Sequence, residues 1–369
     1  MKKYSYRDLA NFSPSLAYDD VLLVPTFSSI RSRLEPETTT TVAGKSLTIP
    51  IVSSPMDTIT DYKMASVLGR LGASGIIHRF LSVEDQLGQI AKLLDEKAKT
   101  DKFNSEKIIV APAIGVGREG LYRFEKIWRE FSTSLDWIAI DIANGHSSLM
   151  LETLSHVKSK VGNSVGIVAG NVATGEGFSC LAEAGADAIR VGIGGGSICK
   201  TRIMTGFGIP TLTSVADCYR EKQKNNLYSH VSIIADGGIR NPADVVKSIV
   251  AGADCVMVGR VFAATKESPG EVFKSANGKM YKVYRGMASE EVQIDAKNGL
   301  KPGTCAEGVS TTIPYKGSVE PIAMEFLGGL RSAMTYANAK DILELRQNTM
   351  FAQITGSGLD ESHAFGTKK

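Results

Sequence analysis

Short apolar runs alternate with longer amphipathic stretches eight times along this chain, beginning near residue 49. Each stretch is long enough to form a helix that returns the chain to a parallel strand. Eight such units predict an α/β protein with a (β/α)8 barrel, although a doubly wound open sheet has the same local pattern. The runs are 49–56, 74–79, 107–115, 137–144, 165–172, 188–194, 231–239 and 255–262, and the stretches include 82–99, 120–131, 147–161 and 242–251.

Small and polar residues at the ends of the eight runs favour the barrel over the open sheet. The carboxyl ends of barrel strands share one face, where barrel enzymes collect their catalytic residues. We therefore expect eight loops to converge on one pocket. The residues at these ends are Ser54, His78, Gly115, Asp141, Asn171, Gly194, Asp236 and Gly259.

The rest of the sequence extends the barrel rather than forming a second domain, because 369 residues fit one barrel with insertions. The glycine-rich segment 268–316, which follows the eighth run, predicts a mobile flap beside the pocket. We expect a final helix near 321–347 to complete the barrel wall. A flexible tail is predicted over about 355–369.

The composition excludes several classes of protein. A formal net charge of +3 gives no indication of nucleic-acid binding, and 43% hydrophobic residues indicate a folded chain with a core. Five cysteines, an odd number in a long chain, argue against a disulfide framework. The sequence has no stretch of membrane-spanning length and no apolar run typical of a signal peptide. We therefore expect a cytoplasmic protein without a membrane partner.

A glycine-rich loop at the end of the sixth run carries Cys199. Its glycines let main-chain groups approach an ion or ligand closely, and nearby N–H dipoles and Arg202 would favour a thiolate. Cys199 is therefore a candidate nucleophile, and the alternative is a small buried hydrophobe beside a turn. Cys180, Cys218 and Cys255 lie in helical or strand patterns and are predicted core residues. Cys305 lies in the flap and is left unassigned.

The loops after the seventh and eighth runs predict a phosphate site. Asp236-Gly237-Gly238 and Gly259-Arg260 stand where barrels commonly bind phosphate, and the N–H groups of glycines suit phosphate oxygens. Asp236 would bind ribose hydroxyls, so a phosphorylated nucleoside is the predicted ligand. An Asp-Gly-Gly sequence alone is only a tight turn. At the fourth strand end, Asp141 would lie near a second ligand, and His146 is either part of that site or an ordinary polar loop residue.

Six segments together resemble the IMP dehydrogenase/GMP reductase family. They are Ser53–Asp57, Ala169–Val172, Gly194–Thr201, Ala235–Ile239, Tyr284–Ser289 and Pro314–Gly317. The resemblance implies a (β/α)8 barrel, usually a homotetramer, that acts on the purine C2 of a nucleotide monophosphate through a covalent bond to Cys199. It also implies a potassium site formed by carbonyl groups of Gly194, Gly196 and Cys199.

The same resemblance implies a set of nucleotide-binding residues, drawn from the first, sixth, seventh and eighth runs with their loops and from the flap. These residues are Ser54, Met56, Arg190, Gly196, Ser197, Asp236, Gly237, Gly238, Gly259, Arg260, Tyr284, Gly286, Met287, Ala288 and Ser289.

The flap distinguishes the family's two reactions. The dehydrogenases pass a hydride from IMP to NAD and hydrolyse the covalent intermediate with a flap Arg–Tyr pair. The reductases expel ammonia from GMP and take a hydride from NADPH. The sequence between Met287 and Glu307 contains no Arg, Tyr or His. We therefore predict a GMP reductase, with IMP dehydrogenase as the alternative.

The resemblance to reductases assigns the remaining roles. Thr201 and Glu307 would protonate the departing ammonia, because an amine leaving group needs a general acid. NADPH would lie against residues of three segments, although the sequence contains no fingerprint that separates NADPH from NADH. These cofactor residues are Ser32, Arg33, Arg79, Asp141, Ile142, Ala143 and Asn144.

Several features depart from the reductase pattern. Lys200 replaces a small residue beside the nucleophile, and Gly195 stands where reductases commonly have proline. The terminal segment 361–363 resembles dehydrogenases, in which it completes the cation site of a neighbouring subunit. By contrast, the lack of a nucleotide-sensing module after the second run, where only 81–105 intervenes, agrees with a reductase, although some dehydrogenases also lack this module. A third possibility is a catalytically inactive nucleotide-binding regulator, against which the intact set Cys199, Thr201 and Glu307 argues.

Overall fold

Eight parallel strands form one sheet at the centre of the molecule, as predicted. The computed structural model describes residues 14–290 and 305–362. The chain begins with β1 (Val21–Val24) and the hairpin β2 (Thr40–Val42) and β3 (Lys45–Leu47). The barrel strands are β4 (Ile51–Ser53), β5 (Ser74–Gly75), β6 (Ala113–Ile114), β7 (Trp137–Asp141), β8 (Gly166–Val172), β9 (Ala188–Val191), β10 (Ser232–Asp236) and β11 (Cys255–Val258).

The sheet closes into a barrel between β5 and β6. The hydrogen-bonded order is β5-β4-β11-β10-β9-β8-β7-β6, and the two outer strands meet through Ile77. The Ile77 N–H donates to the Ala111 carbonyl at 2.9 Å, and the Ala113 N–H donates to the Ile77 carbonyl at 2.8 Å. The (β/α)8 prediction is therefore confirmed.

Helices separate most of the strands and cover the outside of the barrel. Polar side chains at several helix starts accept a backbone N–H of the first turn, among them Ser82, Ser147 and Asn241. The helices are α1 (Tyr62–Leu71), α2 (Val83–Lys99), α3 (Lys102–Ser105), α4 (Gly117–Phe131), α5 (Ser148–Val161), α6 (Gly175–Glu183), α7 (Thr201–Thr205), α8 (Thr211–Lys224), α9 (Pro242–Val250), α10 (Arg260–Ala263), α11 (Val319–Tyr336), α12 (Ile342–Asn348) and α13 (Gly356–Glu361).

The β2–β3 hairpin closes the amino end of the barrel. Val42 and Leu47 are fully buried, and they pack with barrel residues such as Trp137 and Met257. The Trp137 indole N–H donates to the Ala43 carbonyl at 3.1 Å. This packing leaves the carboxyl ends of the strands as the open mouth. In the described ranges, no helix is long and apolar enough to cross a membrane.

The flap segment contains a small antiparallel sheet. Its strands are β12 (Phe273–Lys274), β13 (Met280–Arg285) and β14 (Ser310–Pro314). The buried Lys282 ammonium donates to the Thr265 and Ser268 carbonyls at 3.0 and 2.6 Å, which anchors β13 to the turn after α10. Residues 291–304 of the predicted flap lie outside the described ranges.

Three expectations for other segments need correction. The helix predicted over 321–347 is two helices, because the chain turns at Asn338, whose φ is +48°. Part of the predicted flexible tail forms α13, which Thr355 caps by accepting the Gly358 N–H. Cys180 is half-buried rather than a core residue, whereas Cys218 and Cys255 are buried as predicted. A fourth difference is that the barrel strands are shorter than the apolar runs, because residues at one or both ends of each run lie outside the sheet.

Candidate active site

A cavity of about 900 Å³ opens at the carboxyl end of the barrel, where the strand-end loops meet the flap. Its size lies within the range of small-molecule sites, about 300–1,000 Å³. Most of the predicted site residues line it. They are Ser54, Met56, Arg79, Asp141, Ile142, Ala143, Arg190, Gly194, Gly196, Cys199, Thr201, Asp236, Gly237, Tyr284, Gly286, Met287, Ala288 and Glu307.

Cys199, Thr201 and Glu307 form a continuous hydrogen-bonded chain at one side of this cavity. The Cys199 thiol donates to the Thr201 hydroxyl, with 3.2 Å between Sγ and Oγ1. The Thr201 hydroxyl in turn donates to the Glu307 carboxylate, with 2.7 Å between Oγ1 and Oε2. A hydroxyl both accepts and donates, so this arrangement can pass a proton between sulfur and carboxylate.

The cysteine loop depends on glycine where the backbone of another loop approaches closely. Gly192 has a φ of +144°, and a Cβ atom there would lie 2.0 Å from the Asp236 carbonyl oxygen. Such a contact is impossible for any other residue, and glycine alone adopts this conformation readily. The close approach brings the cysteine loop against the loop that follows β10.

Backbone hydrogen bonds join the cysteine loop to the flap. The Lys200 N–H donates to the Glu307 carbonyl at 2.7 Å, and the Val309 N–H donates to the Ile198 carbonyl at 3.1 Å. These bonds hold the Glu307 side chain beside Thr201. The sequence contained no signal for them, because backbone pairing between distant loops leaves no residue pattern.

The sequence predicted that Arg202 would favour the Cys199 thiolate, but its side chain is engaged elsewhere. Its Nη2 donates to the Ile209 carbonyl at 2.7 Å, and its side chain covers Gly194 and Gly208. The geometry therefore gives Arg202 a role in closing the glycine-rich loop and does not support a role in favouring the thiolate.

A row of alternating charges crosses the floor of the cavity. Arg190 lies between Asp141 and Asp236, with Nη1 2.5 Å from Asp141 Oδ1 and Nη2 2.8 Å from Asp236 Oδ2. Arg79 continues the row, with Nε 3.2 Å from Asp141 Oδ2. Burial alone raises the pKa of Asp141, but Arg190 and Arg79 outweigh it and the net shift is downward. Asp141 is therefore a carboxylate at neutral pH.

Asn171 belongs to this row, although the sequence analysis gave it no role. Its Nδ2 donates to Asp236 Oδ2 and to the Gly192 carbonyl, both at 2.8 Å. The register between β8 and β9 shifts at this position. Such irregularities often re-aim a side chain next to an active site. The signal in the sequence was the place of Asn171 at a strand end.

One side of the cavity is lined by the first strand end and the end of β13, and the end of β11 adjoins them. Tyr284 is buried, which raises the pKa of its phenol, and its Oη lies 3.5 Å from Ser197 Oγ. A Cβ atom at Gly259 would lie 3.4 Å from Tyr284 Oη and 3.5 Å from Ser54 Oγ. These groups therefore share one polar corner.

Several predicted residues lie outside the cavity lining, and two of them, Ser197 and Gly259, adjoin the lining residue Tyr284. Arg260 and Asn144 are exposed, Ser289 is buried behind the flap turn, and Gly238 packs against Tyr18. Ser32 and Arg33 lie in an exposed turn, near a segment that contacts Asn338. The structure thus does not bring Ser32 and Arg33 together with the remaining cofactor residues of the same chain. His146 is exposed and lies away from the cavity.

A family model described as the IMP dehydrogenase / GMP reductase domain matches residues 15–365. The chain belongs to the IMP dehydrogenase/GMP reductase family. Members of this family are oxidoreductases that use a nicotinamide cofactor.

Similar proteins carry both activities of the IMP dehydrogenase/GMP reductase family. The inosine-5'-monophosphate dehydrogenase of Cryptosporidium parvum is 34% identical, over 96% of this chain and 95% of that protein. The inosine-5'-monophosphate dehydrogenase of Borreliella burgdorferi is 35% identical, over 95% of this chain and 96% of that protein. The crystal structure of a cysteine-to-alanine variant of Trypanosoma brucei GMP reductase with guanosine 5'-monophosphate superposes with a TM-score of 0.87 at 28% identity, covering 98% of this chain and 100% of that one.

Proposed function

We propose that this protein is a GMP reductase, which converts GMP to IMP and ammonia at the expense of NADPH. The observation that carries the proposal is the hydrogen-bonded chain from Cys199 through Thr201 to Glu307. It supplies a proton path to a leaving amine. The sequence between Met287 and Glu307 has no Arg, Tyr or His, so it lacks the hydrolytic pair that the family resemblance assigns to dehydrogenases.

The first half of the reaction uses the proton of the thiol itself. As Cys199 sulfur attacks the purine C2, its proton passes through the Thr201 hydroxyl to the Glu307 carboxylate. The same path, reversed, returns the proton to the amino group on C2, and that group leaves as ammonia. The C2–N bond breaks and the C2–S bond remains, so atoms and charge balance.

The second half would regenerate the Cys199 thiol, because the thiolate that leaves C2 takes up a proton from water. A reduced nicotinamide held in the same cavity would supply the hydride for C2. Breakage of the C2–S bond would then release IMP. Asp141 and Arg79 line the same cavity, where they would bind and orient that cofactor. Neighbouring Ile142 and Ala143 offer an apolar surface suited to an aromatic ring.

The nucleotide would occupy the corner formed by Tyr284, Ser54 and Gly259. Asp236 Oδ2 already accepts from Arg190 and Asn171, so the other carboxylate oxygen would accept the ribose hydroxyls. Glycine N–H groups of the loops after β10 and β11, together with Ser197, would hold the phosphate. Met56 and Met287 would contact the base. This assignment follows the family resemblance, and the lining of the cavity supports it.

Potassium and the homotetramer remain part of the proposal. The Gly196 carbonyl accepts the Cys199 N–H at 3.1 Å and keeps a second lone pair for a cation, which the Gly194 and Cys199 carbonyls would also bind. Ser32 and Arg33 do not line the cavity of their own chain, so a cofactor role for them requires a second subunit. We therefore expect turnover to depend on a monovalent cation and on assembly.

IMP dehydrogenase is the second candidate, because relatives of that name are 34–35% identical over nearly the whole chain. The same nucleophile and nucleotide corner would serve either reaction. The dehydrogenase would need a water-activating base other than Arg, Tyr or His from the segment between Met287 and Glu307.

Two parallel assays test the proposal by absorbance of the reduced nicotinamide. One contains GMP and NADPH, the other IMP, NAD and potassium, and Cys199→Ala is the control in both. We expect absorbance to fall in the first assay with release of ammonia, and the control to bind GMP without turnover. A rise in the second assay alone would establish the dehydrogenase. No change in either assay, with GMP bound, would favour the inactive regulator.

A further inference from the structure

An ion pair joins the first strand-end loop to the base of the flap. Arg285 Nε and Nη2 lie 2.7 and 2.6 Å from Asp57 Oδ2. The Asp57 side chain is 9% exposed and that of Arg285 is 29% exposed, so water screens the pair only in part. Both residues line the cavity, although 228 positions separate them in the sequence.

Two weaker contacts support the same attachment. The Arg285 N–H donates to Thr58 Oγ1 at 3.4 Å, and the Asp57 N–H approaches Met287 Sδ at 3.4 Å. The segment from Arg285 to Met287 is thus held along its length against residues 57 and 58. Because Arg285 is the last residue of β13, this attachment determines where the flap turn begins.

The flap turn in turn holds Glu307. The Ala288 carbonyl accepts the N–H groups of Glu307 and Gly308 at 3.0 and 3.1 Å. The Glu307 carbonyl then accepts the Lys200 N–H, next to the nucleophile. A short series of contacts therefore leads from the Asp57 carboxylate through Arg285 and Ala288 to Glu307.

We propose that Asp57 and Arg285 are a positioning pair that sets the Glu307 carboxylate against Thr201. Neither residue is assigned a part in bond making or breaking. This positioning role rests on the proposed function where it is tested by turnover, because Glu307 is the proton carrier of the proposed reaction. A catalytic group displaced by about 1 Å can lose on the order of 100-fold in rate, so a loosened pair should be visible in kcat.

The test compares Asp57→Asn, Glu307→Gln and the double variant. Asp57→Asn keeps the shape of the side chain and removes its charge. We expect it to lower kcat for ammonia release by about 10- to 100-fold while the Kd for GMP changes less than about 3-fold. In the Glu307→Gln variant, Asp57→Asn should lower kcat by less than about 3-fold, because no Glu307 carboxylate remains to be positioned.

Two results would overturn the pair's role. In the first, Asp57→Asn lowers kcat by the same factor in the wild-type protein and in the Glu307→Gln variant. Equal factors would mean that the two residues act independently. The second is a fall in GMP affinity that accounts for the whole loss. Asp57→Glu, which retains the charge, should keep more of kcat than Asp57→Asn. If Asp57→Asn does not fold, Arg285→Gln breaks the pair from the other side and carries the same expectations.

Asp254→Asn is the matched control. Asp254 is a carboxylate of similar burial, 3.3 Å from Lys222 Nζ, but it precedes β11 at the closed end of the barrel. Its loss should lower thermal stability without changing kcat. A comparable drop in kcat for Asp254→Asn would show that any broken ion pair slows the enzyme, which also overturns the proposal.

Failure of the proposed function is separable, because it shows in the wild-type protein as no ammonia from GMP. The pair is then tested on the alkylation rate of Cys199, whose neighbour Lys200 is held by Glu307. We expect Asp57→Asn to raise this rate severalfold and Asp254→Asn to leave it unchanged. An unchanged rate in Asp57→Asn would overturn the pair without reference to any substrate.

Discussion

At the scale of single residues, the proposed reaction depends on one hydroxyl between a thiol and a carboxylate. Thr201 occupies the second position after the nucleophile, at the start of α7, so its hydroxyl reaches back toward Cys199. The second partner of the Thr201 hydroxyl, Glu307, lies in the flap segment. Because the two partners lie on different segments, the proton path exists only when the flap is in place.

Replacing Glu307 by Gln should separate proton transfer from binding. The amide has nearly the same shape but cannot take up the thiol proton or return it to the leaving amine. We expect ammonia release to slow by about 100-fold, within the range of general acid–base effects, with little change in the Kd for GMP. Rapid-quench measurement of ammonia and equilibrium binding of GMP check the two quantities. An equal loss in both would make Glu307 a binding residue instead.

At the scale of elements, the loop after β5 is held by a network around the buried His78. The His78 Nδ1 accepts the Phe80 N–H at 3.2 Å, and its carbonyl accepts Gln86 Nε2 at 3.0 Å. Arg123 bonds to Gln86 and to the Leu81 carbonyl. This network fixes the cavity-lining segment that contains Arg79.

His78 predicts how stability depends on pH. Burial, with smaller contributions from Arg123 and Arg285, lowers the pKa of His78 from 6.5 to about 4. Between these values the unfolded chain binds a proton and the folded chain does not, so stability is lost as pH falls from about 6.5 to about 4. This loss amounts to about 3 kcal/mol for the one group.

His78→Asn keeps an acceptor near the Phe80 N–H and removes the titration. Urea unfolding of both proteins between pH 4 and 7 should show a steeper pH dependence for the wild type. If the free energy of unfolding depends on pH equally in both proteins between pH 4 and 7, His78 does not titrate differently in the folded and unfolded states.

Elements also show what the sequence could and could not predict. Strand periodicity and the glycine-rich loop predicted β4 to β11 and the cysteine loop, because burial and backbone freedom leave local residue patterns. The break at Asn338 was missed because the apolar spacing continues through it. The Asp57–Arg285 pair and the Lys200–Glu307 backbone bond were missed because each joins segments far apart in the sequence.

At the scale of the whole molecule, the barrel is closed at the amino end of its strands and carries the cavity at the carboxyl end. The β2–β3 hairpin fills the amino end, so strand-end loops and flap share the other. Nucleotide and cofactor would then enter one cavity with Cys199 between them. A proton path and a hydride donor can act on the same purine carbon only in such a shared space.

Label transfer tests the central claim, that this carbon is reduced, most directly. NADPH with deuterium at both C4 positions of the nicotinamide is incubated with GMP and the wild-type enzyme, and the IMP formed is analysed by mass spectrometry and NMR. We predict IMP with deuterium at C2 and one ammonia for each IMP. IMP that carries only hydrogen at C2, or no IMP from GMP at all, would contradict the claim.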